Sequence, residues 1–281
     1  MPSSVIAGVD VVTIPGTLTI KEYHGGVSTK DSKLSAVHET VCCPSNENPW
    51  RCPEFTEYLL VIRGETRVEY GDDKAVVVRT GHGVYLPAGC RVRVTYPGPA
   101  ELIAICLPSF SPETEHREAD GGTPMAHEHG TDSAPTVVSS VDVVDAPART
   151  STEYFGRVSS NDSGLSACVA TVDGPCREAW QRPAFAEWVL VLKGVLHLEH
   201  DEGTATTVVP AGAGVYLAAG ERVRWVWPSA EGCVYVPICM PAFTPDGCRR
   251  EPEEGSAKDA DPATMAGLHK LHGRCDNDDT K

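Results

Sequence analysis

The chain repeats itself, and this duplication constrains its fold more than any other feature. Four blocks of the first half recur in the same order in the second half, displaced by 130 to 133 residues. The pairs are KDSKLSA (30–36) with NDSGLSA (161–167), PWRCPEFTEYLLVIRG (49–64) with AWQRPAFAEWVLVLKG (179–194), GHGVYLPAGCRVRV (81–94) with GAGVYLAAGERVRW (212–225), and ICLPSFSP (105–112) with ICMPAFTP (238–245). Chance does not produce four collinear matches at nearly one spacing. The chain is therefore two copies of one folding unit.

The 281 residues are enough for two units, each with its own core. We expect a first unit over 1–118, a linker over 119–136, a second unit over 137–251 and an acidic tail over 252–281. The linker is rich in Gly, Pro, Asp and His and has no apolar period. In the tail, Asp261 followed by Pro262 predicts a short helix that continues to Leu271.

Each copy consists of short β-branched and aromatic segments such as EYLLVIRG, KAVVVRTG and RVRVTYPG. Gly and Pro separate them about every eight to twelve residues, which is typical of an all-β sandwich or barrel. No apolar helical period appears inside either copy. The sequence therefore predicts two all-β units.

Composition argues against several kinds of partner. The formal net charge of −15 opposes binding to nucleic-acid phosphates and to anionic membranes. No segment approaches transmembrane length, and the N-terminus lacks the features of a signal peptide. The 11 cysteines form no C-x-x-C pair, and several lie in apolar runs. We expect no nucleic-acid or membrane partner, unpaired cysteines and a cytoplasmic location.

The two central blocks resemble the paired motifs of the cupins, G-x5-H-x-H-x3,4-E-x6-G and G-x5-P-x-G-x2-H-x3-N. Glu57 and Glu187 are each followed by six residues and a glycine. The other matching positions are Gly64, Gly194, Gly174, Gly81, Pro87, Gly89, Gly212 and Gly220, with Ala218 in place of the second proline. The resemblance implies a bicupin of the RmlC-like superfamily, with two tandem cupin barrels (double-stranded β-helix, or jelly roll). The wording EYLLVIRGE and GVYLPAG is most similar to cupins of the ethanolamine-utilisation protein Q type.

In cupins the motif histidines and the glutamate hold a divalent metal. Here the first-motif His positions are occupied by Trp50 and Cys52 in copy one and by Trp180 and Arg182 in copy two. The second-motif His is replaced by Val92 and Val223. One remaining carboxylate in each copy is too few for a catalytic metal, which normally takes three or more protein ligands. We therefore expect no metal and no cofactor in either barrel.

Alternate residues of a barrel strand face inward. If Glu187 faces inward, Val189 and Val191 share its side, and Arg182 is expected to pair with the Glu187 carboxylate and plug barrel two. Copy one has Cys52 where copy two has Arg182. Glu57 is then expected to lack a partner, and desolvation should raise its pKa.

This reasoning makes barrel one the expected working site, with Glu57 and Tyr85 as catalytic acid and base. The expected substrate-binding residues are Trp50, Cys52, Trp180, Arg182, Glu187 and Tyr216. The alternative is structural: the tryptophans fill the barrel mouths and the glutamates hydrogen-bond within the fold. Arg91, Arg93, Arg222 and Arg224 alternate with inward valines and should face outward.

Three functions remain open at this stage. The first is a metal-independent acid–base enzyme acting on a small polar metabolite. The second is a non-catalytic bicupin that binds a small molecule or has a structural role. The third is a metal-dependent oxygenase or isomerase with non-standard ligands. The expected partner is a small-molecule ligand, and a homodimer agrees with the cupin resemblance.

Overall fold

The computed structural model describes residues 3–118, 133–251 and 262–278. The chain divides into two compact units. Barrel one is Gly8–Ser139, and barrel two is Ser140–Lys281 together with Met1–Ala7. Most of the linker expected over 119–136 lies outside the described residues.

The strands follow the duplication closely. The strands of the first half are β1 (Val5–Ala7), β2 (Val9–Ile14), β3 (Leu18–His24), β4 (Ser35–Val41), β5 (Thr56–Arg63), β6 (Glu65–Tyr70), β7 (Lys74–Arg79), β8 (His82–Leu86), β9 (Val92–Thr95), β10 (Ala100–Leu107) and β11 (Thr136–Ser139). Those of the second half are β12 (Val141–Ala146), β13 (Arg149–Phe155), β14 (Ser166–Val172), β15 (Cys176–Arg177), β16 (Ala186–Lys193), β17 (Val195–His200), β18 (Ala205–Pro210), β19 (Ala213–Leu217), β20 (Arg224–Trp227) and β21 (Cys233–Met240). The helices are α1 (Pro112–Glu115), α2 (Pro262–Asp278) and two short 3-10 turns, Asp201–Gly203 and Asp246–Cys248.

Each unit consists of one large and one small antiparallel sheet. Barrel one has a seven-stranded sheet in the order β11-β8-β5-β10-β4-β3-β2 and a three-stranded sheet β7-β6-β9. Barrel two has the corresponding sheets β1-β19-β16-β21-β14-β13-β12 and β15-β20-β17-β18. The predicted pair of tandem all-β barrels is confirmed.

The first strand of each repeat joins the sheet of the other repeat's barrel. β1 pairs with β19, with Val5 opposite Val215, and β11 pairs with β8, with Thr136 opposite Tyr85. Side chains also fix the N-terminus to barrel two, because Ser3 Oγ donates to Glu221 Oε1 at 2.6 Å and Thr207 Oγ1 donates to the Ser3 carbonyl at 2.9 Å. The unit boundaries expected from the sequence, at residues 1 and 137, therefore differ from those of the two compact units.

The core of each barrel lies on the inward face of the strands, as strand alternation requires. The buried cluster of barrel one includes Leu59, Val61, Val84, Leu86 and Val92. In barrel two the cluster includes Val189, Val191, Val215, Leu217 and Val223. Val189 and Val191 thus face inward with Glu187, as predicted.

The motif-one glycines are required by close backbone approach. Gly64 and Gly194 have φ of 79° and 78°. A Cβ atom on Gly194 would lie 2.2 Å from the Gly232 carbonyl oxygen, and one on Gly64 would lie 2.3 Å from that of Pro99. Only glycine tolerates both the left-handed backbone and this contact.

A buried glutamate anchors one loop in each barrel. The Glu153 carboxylate accepts hydrogen bonds from the backbone N–H groups of Val158 and Ser159 at 2.9 and 2.8 Å. Glu22 does the same for its own loop in barrel one. Each glutamate therefore receives hydrogen bonds from the backbone of its own loop.

Helix α2 begins at the predicted Pro262 and packs against β12, also in barrel two. Leu268 and His272 are buried on its inner side, and the His272 ring lies 5.5 Å from that of Phe243. Within the described part of the chain, no helix is both long and apolar enough to cross a membrane. The cysteines with described side chains are all free, as expected.

Replacing residues 3–7 with a Gly–Ser segment of equal length should destabilise barrel two. The change removes β1 pairing and the two Ser3 contacts, which at ~1 kcal/mol for each hydrogen bond is about 2 kcal/mol or more. The expected loss in melting temperature is roughly 4–8 °C. Hydrogen exchange should accelerate in β19, whereas β8, which keeps its partner β11, serves as the internal control. Equal protection of β19 before and after the change would contradict this pairing.

Candidate functional site

In barrel one the motif glutamate is paired. Arg51 Nη2 lies 2.5 Å from Glu57 Oε2, and Arg51 Nη1 lies 3.8 Å from Glu115 Oε1. Arg117 completes the cluster at 2.5 Å from Glu115. The expectation of an unpaired Glu57 carboxylate is therefore wrong, because the residue before Cys52 supplies a buried cation.

A half-buried acid, Glu39, also has a partner in barrel one. The Tyr96 hydroxyl donates to Glu39 Oε2 at 2.8 Å. Burial raises the pKa of Glu39, although the Tyr96 hydrogen bond opposes that rise. Glu39 and Glu57 thus both have protein partners.

In barrel two the counterpart of Arg51 is Gln181, which carries no charge. Arg182 is exposed, and its Nη1 lies 3.5 Å from the Gly220 carbonyl instead of beside Glu187. The predicted Arg182–Glu187 pair does not form. Glu187 Oε1 accepts a weak hydrogen bond from the Cys239 thiol at 3.7 Å, and its buried Oε2 has no partner among the described residues.

The error arises from a shift of one residue. The sequence motif placed Cys52 and Arg182 inward, whereas the structure turns both toward the motif-two glycine: the Cys52 thiol donates to the Gly89 carbonyl at 3.2 Å, as Arg182 does to Gly220. In an extended chain a shift of one residue moves each side chain to the opposite face. Arg51 and Gln181 therefore occupy the inward positions.

The environment of Glu187 favours its neutral form. Burial raises the pKa of Glu187 to about 8, and the nearby Glu178 carboxylate adds to the rise. Only the Cys239 thiol and the more distant Arg250 oppose it. At neutral pH the Glu187 side chain is a carboxylic acid that can donate a proton.

A cavity of about 100 Å³ lies beside Glu187 within barrel two. Its polar and titratable lining residues are Arg149, Ser151, Glu153, Ser166, Cys168, Glu178, Gln181, Glu187, Trp225, Tyr235, Cys239, Cys248 and Arg250. Its apolar lining residues are Val143, Val144, Ala170, Pro237, Phe243, Met265 and Leu268. Helix α2 supplies the last two, so the tail contributes to this wall.

Glu178 is the centre of the polar side of the cavity. Arg149 Nη1 forms a short ion pair with Glu178 Oε1, and Arg250 Nη2 lies 3.5 Å from Glu178 Oε2. Gln181 Nε2 donates to Oε2 at 3.4 Å, and Arg149 Nη2 donates to the Tyr235 hydroxyl at 3.3 Å. Burial alone would raise the pKa of Glu178, but the two guanidinium groups hold it below its usual value.

The predicted aromatic residues do not line this cavity. The Trp50 ring lies under the Arg91 guanidinium at 4.1 Å, and the Trp180 ring lies under that of Arg222 at 4.2 Å. The four arginines that were expected to face outward do so, and each pairs with a glutamate. The pairs are Arg91 with Glu118, Arg93 with Glu69, Arg222 with Glu251 and Arg224 with Glu199. The two tryptophans are therefore cation–π partners.

The predicted tyrosines lie on the outer sheet faces. Tyr85 packs edge-on against Tyr58, and Tyr216, 40% exposed, packs against Trp188. Because Tyr58 and Glu57 are adjacent on one strand, Tyr85 and Glu57 lie on opposite faces. The structure does not bring together the proposed catalytic pair of barrel one.

Of the eight predicted site residues, Glu187 alone lines the cavity. Sequence reasoning missed Arg149, Glu178, Gln181, Trp225 and Arg250. A signal was present in the aligned copies, where Leu18 matches Arg149, Asn48 matches Glu178 and Val94 matches Trp225. Apolar or neutral residues of copy one become charged or hydrogen-bonding residues in copy two.

Comparisons with known proteins identify the fold. No family model matches the sequence, and no curated protein matches it. Among solved structures, a variant of Bacillus subtilis oxalate decarboxylase is similar with a TM-score of 0.67 at 14% identity, covering 86% of this chain and 78% of that chain. The Bacillus subtilis oxalate decarboxylase structure at pH 4.6 gives a TM-score of 0.66 at 14% identity, covering 89% and 78%.

At this identity the likeness concerns the fold. It extends across both barrels and agrees with the motif glycines and with the two-sheet architecture of each unit. The likeness gives no support to the narrower resemblance to the ethanolamine-utilisation type. The chain has the fold of a bicupin, two tandem cupin barrels that arose by internal duplication.

Proposed function

We propose that barrel two is the working site of this bicupin, which binds a small polar metabolite and uses Glu187 as an acid–base group. The observation that carries the proposal is the Glu187 carboxyl, buried beside a cavity with Oε2 unpartnered among the described residues. A buried polar atom without a partner is costly in a purely structural role. A ligand in the cavity would provide that partner.

The protonation state suits general acid catalysis. A group with a pKa near the working pH exchanges protons most effectively, and burial raises the pKa of Glu187 to about 8. The neutral acid would donate its proton to a ligand oxygen, and the resulting carboxylate would take a proton back. Glu57 and Tyr85 do not fit this role, because Glu57 is paired with Arg51 and Tyr85 lies on the other face of the sheet.

A non-catalytic binding role is the second candidate, and one observation favours it. The other titratable groups of the cavity are already engaged or neutral. Glu178 is held by two guanidinium groups, Glu153 by its loop, and burial raises the pKa of Cys168 and Cys239. A proton transfer that needs a second protein group has no evident partner among them.

A metal centre of the usual cupin kind does not fit these residues. One oxalate decarboxylase structure is described by its Mn(II) centres. Manganese takes oxygen and imidazole ligands, whereas Glu187 is accompanied by Cys239 and the other motif positions hold Trp180, Arg182 and Val223. Across residues 3–118, 133–251 and 262–278, no three His, Cys, Asp or Glu side chains are grouped to hold an ion.

Protein purified from manganese-supplemented cultures should contain well below one equivalent of Mn, Fe, Ni or Zn per chain. Elemental analysis of the full chain measures this directly. A stoichiometric transition metal that is lost in Glu187→Ala would show that the ligand set described above is incomplete and would restore the metal-dependent alternative.

The stability of the protein should depend on pH through Glu187. The folded state keeps this proton up to about pH 8, whereas the unfolded chain releases it near pH 4.5. Stability is therefore lost as pH rises through this window, by up to about 5 kcal/mol above pH 8. Glu187→Gln removes the cost, so its melting temperature should match the wild type at pH 5 and exceed it at pH 9.

The matched variant in barrel one should behave in the opposite way. Glu57→Gln leaves Arg51 buried without its main carboxylate and should destabilise the protein by about 3–5 kcal/mol at neutral pH. If the difference in melting temperature between Glu187→Gln and wild type is the same at every pH from 5 to 9, Glu187 is not a neutral buried acid.

Catalysis and simple binding can be separated with three proteins. We expect the wild type, incubated with a metabolite extract, to deplete one compound and form one product by mass spectrometry. Glu187→Gln should retain the compound without converting it. Gln181→Arg places in barrel two the cation that Arg51 provides in barrel one, and it should fill the cavity and bind nothing. Equal retention by wild type and Glu187→Gln with no product would establish the non-catalytic role.

A further inference from the structure

Some side chains that line the barrel-two cavity have a buried polar atom without a hydrogen-bond partner among the described residues. Nearly all of these atoms are donors. Among the described residues, Trp225 Nε1, Arg149 Nε and Arg250 Nη1 are buried without a partner, and all three side chains line the cavity. Trp225 is only 3% exposed. The Glu187 carboxyl, which also has an open oxygen, is itself a donor when protonated. A molecule complementary to this set must supply acceptors.

The charges of the cavity favour an anionic acceptor. The guanidinium groups of Arg149 and Arg250 share the single carboxylate of Glu178. Glu153 also lines the cavity, but the N–H groups of its loop donate to its carboxyl group, as those of the matching loop do to Glu22, and burial raises the pKa of Glu153. One guanidinium is left without a carboxylate of its own. A monoanion would complete the pair.

Part of the cavity wall is apolar. It includes Val143, Pro237, Phe243, Met265 and Leu268, with the last two from helix α2. The volume of about 100 Å³ is below the ~150 Å³ of a protein cavity known to hold benzene. The cavity therefore suits a compact ligand of roughly four to six heavy atoms, its charged head included.

Barrel one shows that the donor set is not a requirement of the fold. Leu18, Val94 and Leu102 occupy the positions of Arg149, Trp225 and Tyr235. Only Arg117 matches Arg250, and Arg117 pairs with Glu115. The same scaffold folds with apolar side chains at these places, so a structural role alone does not account for the donors of barrel two.

We propose that the ligand of barrel two is a small monocarboxylic acid with an apolar body. Its carboxylate binds to the Arg250 guanidinium and the Trp225 indole N–H, and its body packs against Phe243 and Leu268. This inference rests on the proposed function only in using the same cavity. It specifies the chemical class of the molecule and holds whether or not Glu187 transfers a proton.

The test uses probes that share a skeleton and differ in the head group. Isobutyrate, isobutanol, isobutylamine and isobutyl phosphate form one set, and benzoate, benzyl alcohol, benzylamine and phenyl phosphate form a second, larger set. Calorimetry and thermal shift on the full chain at pH 7 should detect a carboxylate from at least one set. The alcohol, amine and phosphate of that skeleton should bind at least tenfold more weakly.

Two tryptophan variants provide the matched control. Trp225 and Trp227 are both buried with an unpartnered indole N–H, but only Trp225 lines the cavity. Trp225→Phe should weaken carboxylate binding about tenfold, as the loss of one hydrogen bond to a charged group predicts. Trp227→Phe should change it less than twofold. Arg250→Lys, which keeps the charge but changes the donor geometry, should also weaken binding.

The outcomes separate this inference from the proposed function. Binding of alcohols or amines as tightly as carboxylates, with loss in Gln181→Arg, would overturn the ligand class and leave the cavity as the working site. Carboxylate binding that is equally affected in Trp225→Phe and Trp227→Phe would overturn the assigned head-group site. Binding of no probe from either set would overturn the inference, whereas the proton-transfer role would still be decided by Glu187→Gln and the metabolite extract.

Discussion

The state of the buried motif glutamate in each barrel depends on whether a cation lies beside it. In barrel one Arg51 places a guanidinium 2.5 Å from Glu57, whereas the matching residue of barrel two, Gln181, carries no charge and donates to Glu178 instead. A buried carboxylate without a cation beside it favours its protonated form. The two copies share their strands, motif glycines and core. Among the described residues, a buried carboxyl oxygen without a hydrogen-bond partner is nevertheless found only in the second copy.

Barrel two has its own ion-pair cluster, formed by residues other than the motif glutamate. Its ionised carboxylate is Glu178, which lies in a segment before the motif and is paired with Arg149 and Arg250. The Glu178 carboxylate of this cluster adds to the rise that burial causes in the pKa of Glu187, whereas Arg250 opposes it. The cluster therefore brings donors to the cavity, and its carboxylate favours the neutral form of Glu187.

The fold could be predicted from the sequence because repetition, strand alternation and glycine spacing are properties of the backbone. The inward positions of Val189 and Val191 were predicted correctly for the same reason. The site could not be predicted as well, since the segment before the motif glutamate does not keep the register of a regular strand. Because of a shift of one residue, Arg51 faces Glu57 and Cys52 does not. The partner expected for each motif glutamate was therefore wrong. Arg149 lies well before the first motif and Trp225 lies inside the second, and only the folded sheets place both at the cavity beside Glu187.

The reciprocal placement of the first strands has a consequence for how the chain matures. Strand β1 is made before the rest of barrel two, and the hydrogen-bonding partners of this segment lie as far as 218 residues later in the sequence. During synthesis β1 cannot pair until β19 emerges, so barrel two is completed by strands from both repeats. A fragment cut at the repeat boundary would leave the edge of β19 open, and a free sheet edge recruits strands from other molecules. Dissection of the protein into halves therefore has to follow the sheets and not the duplication.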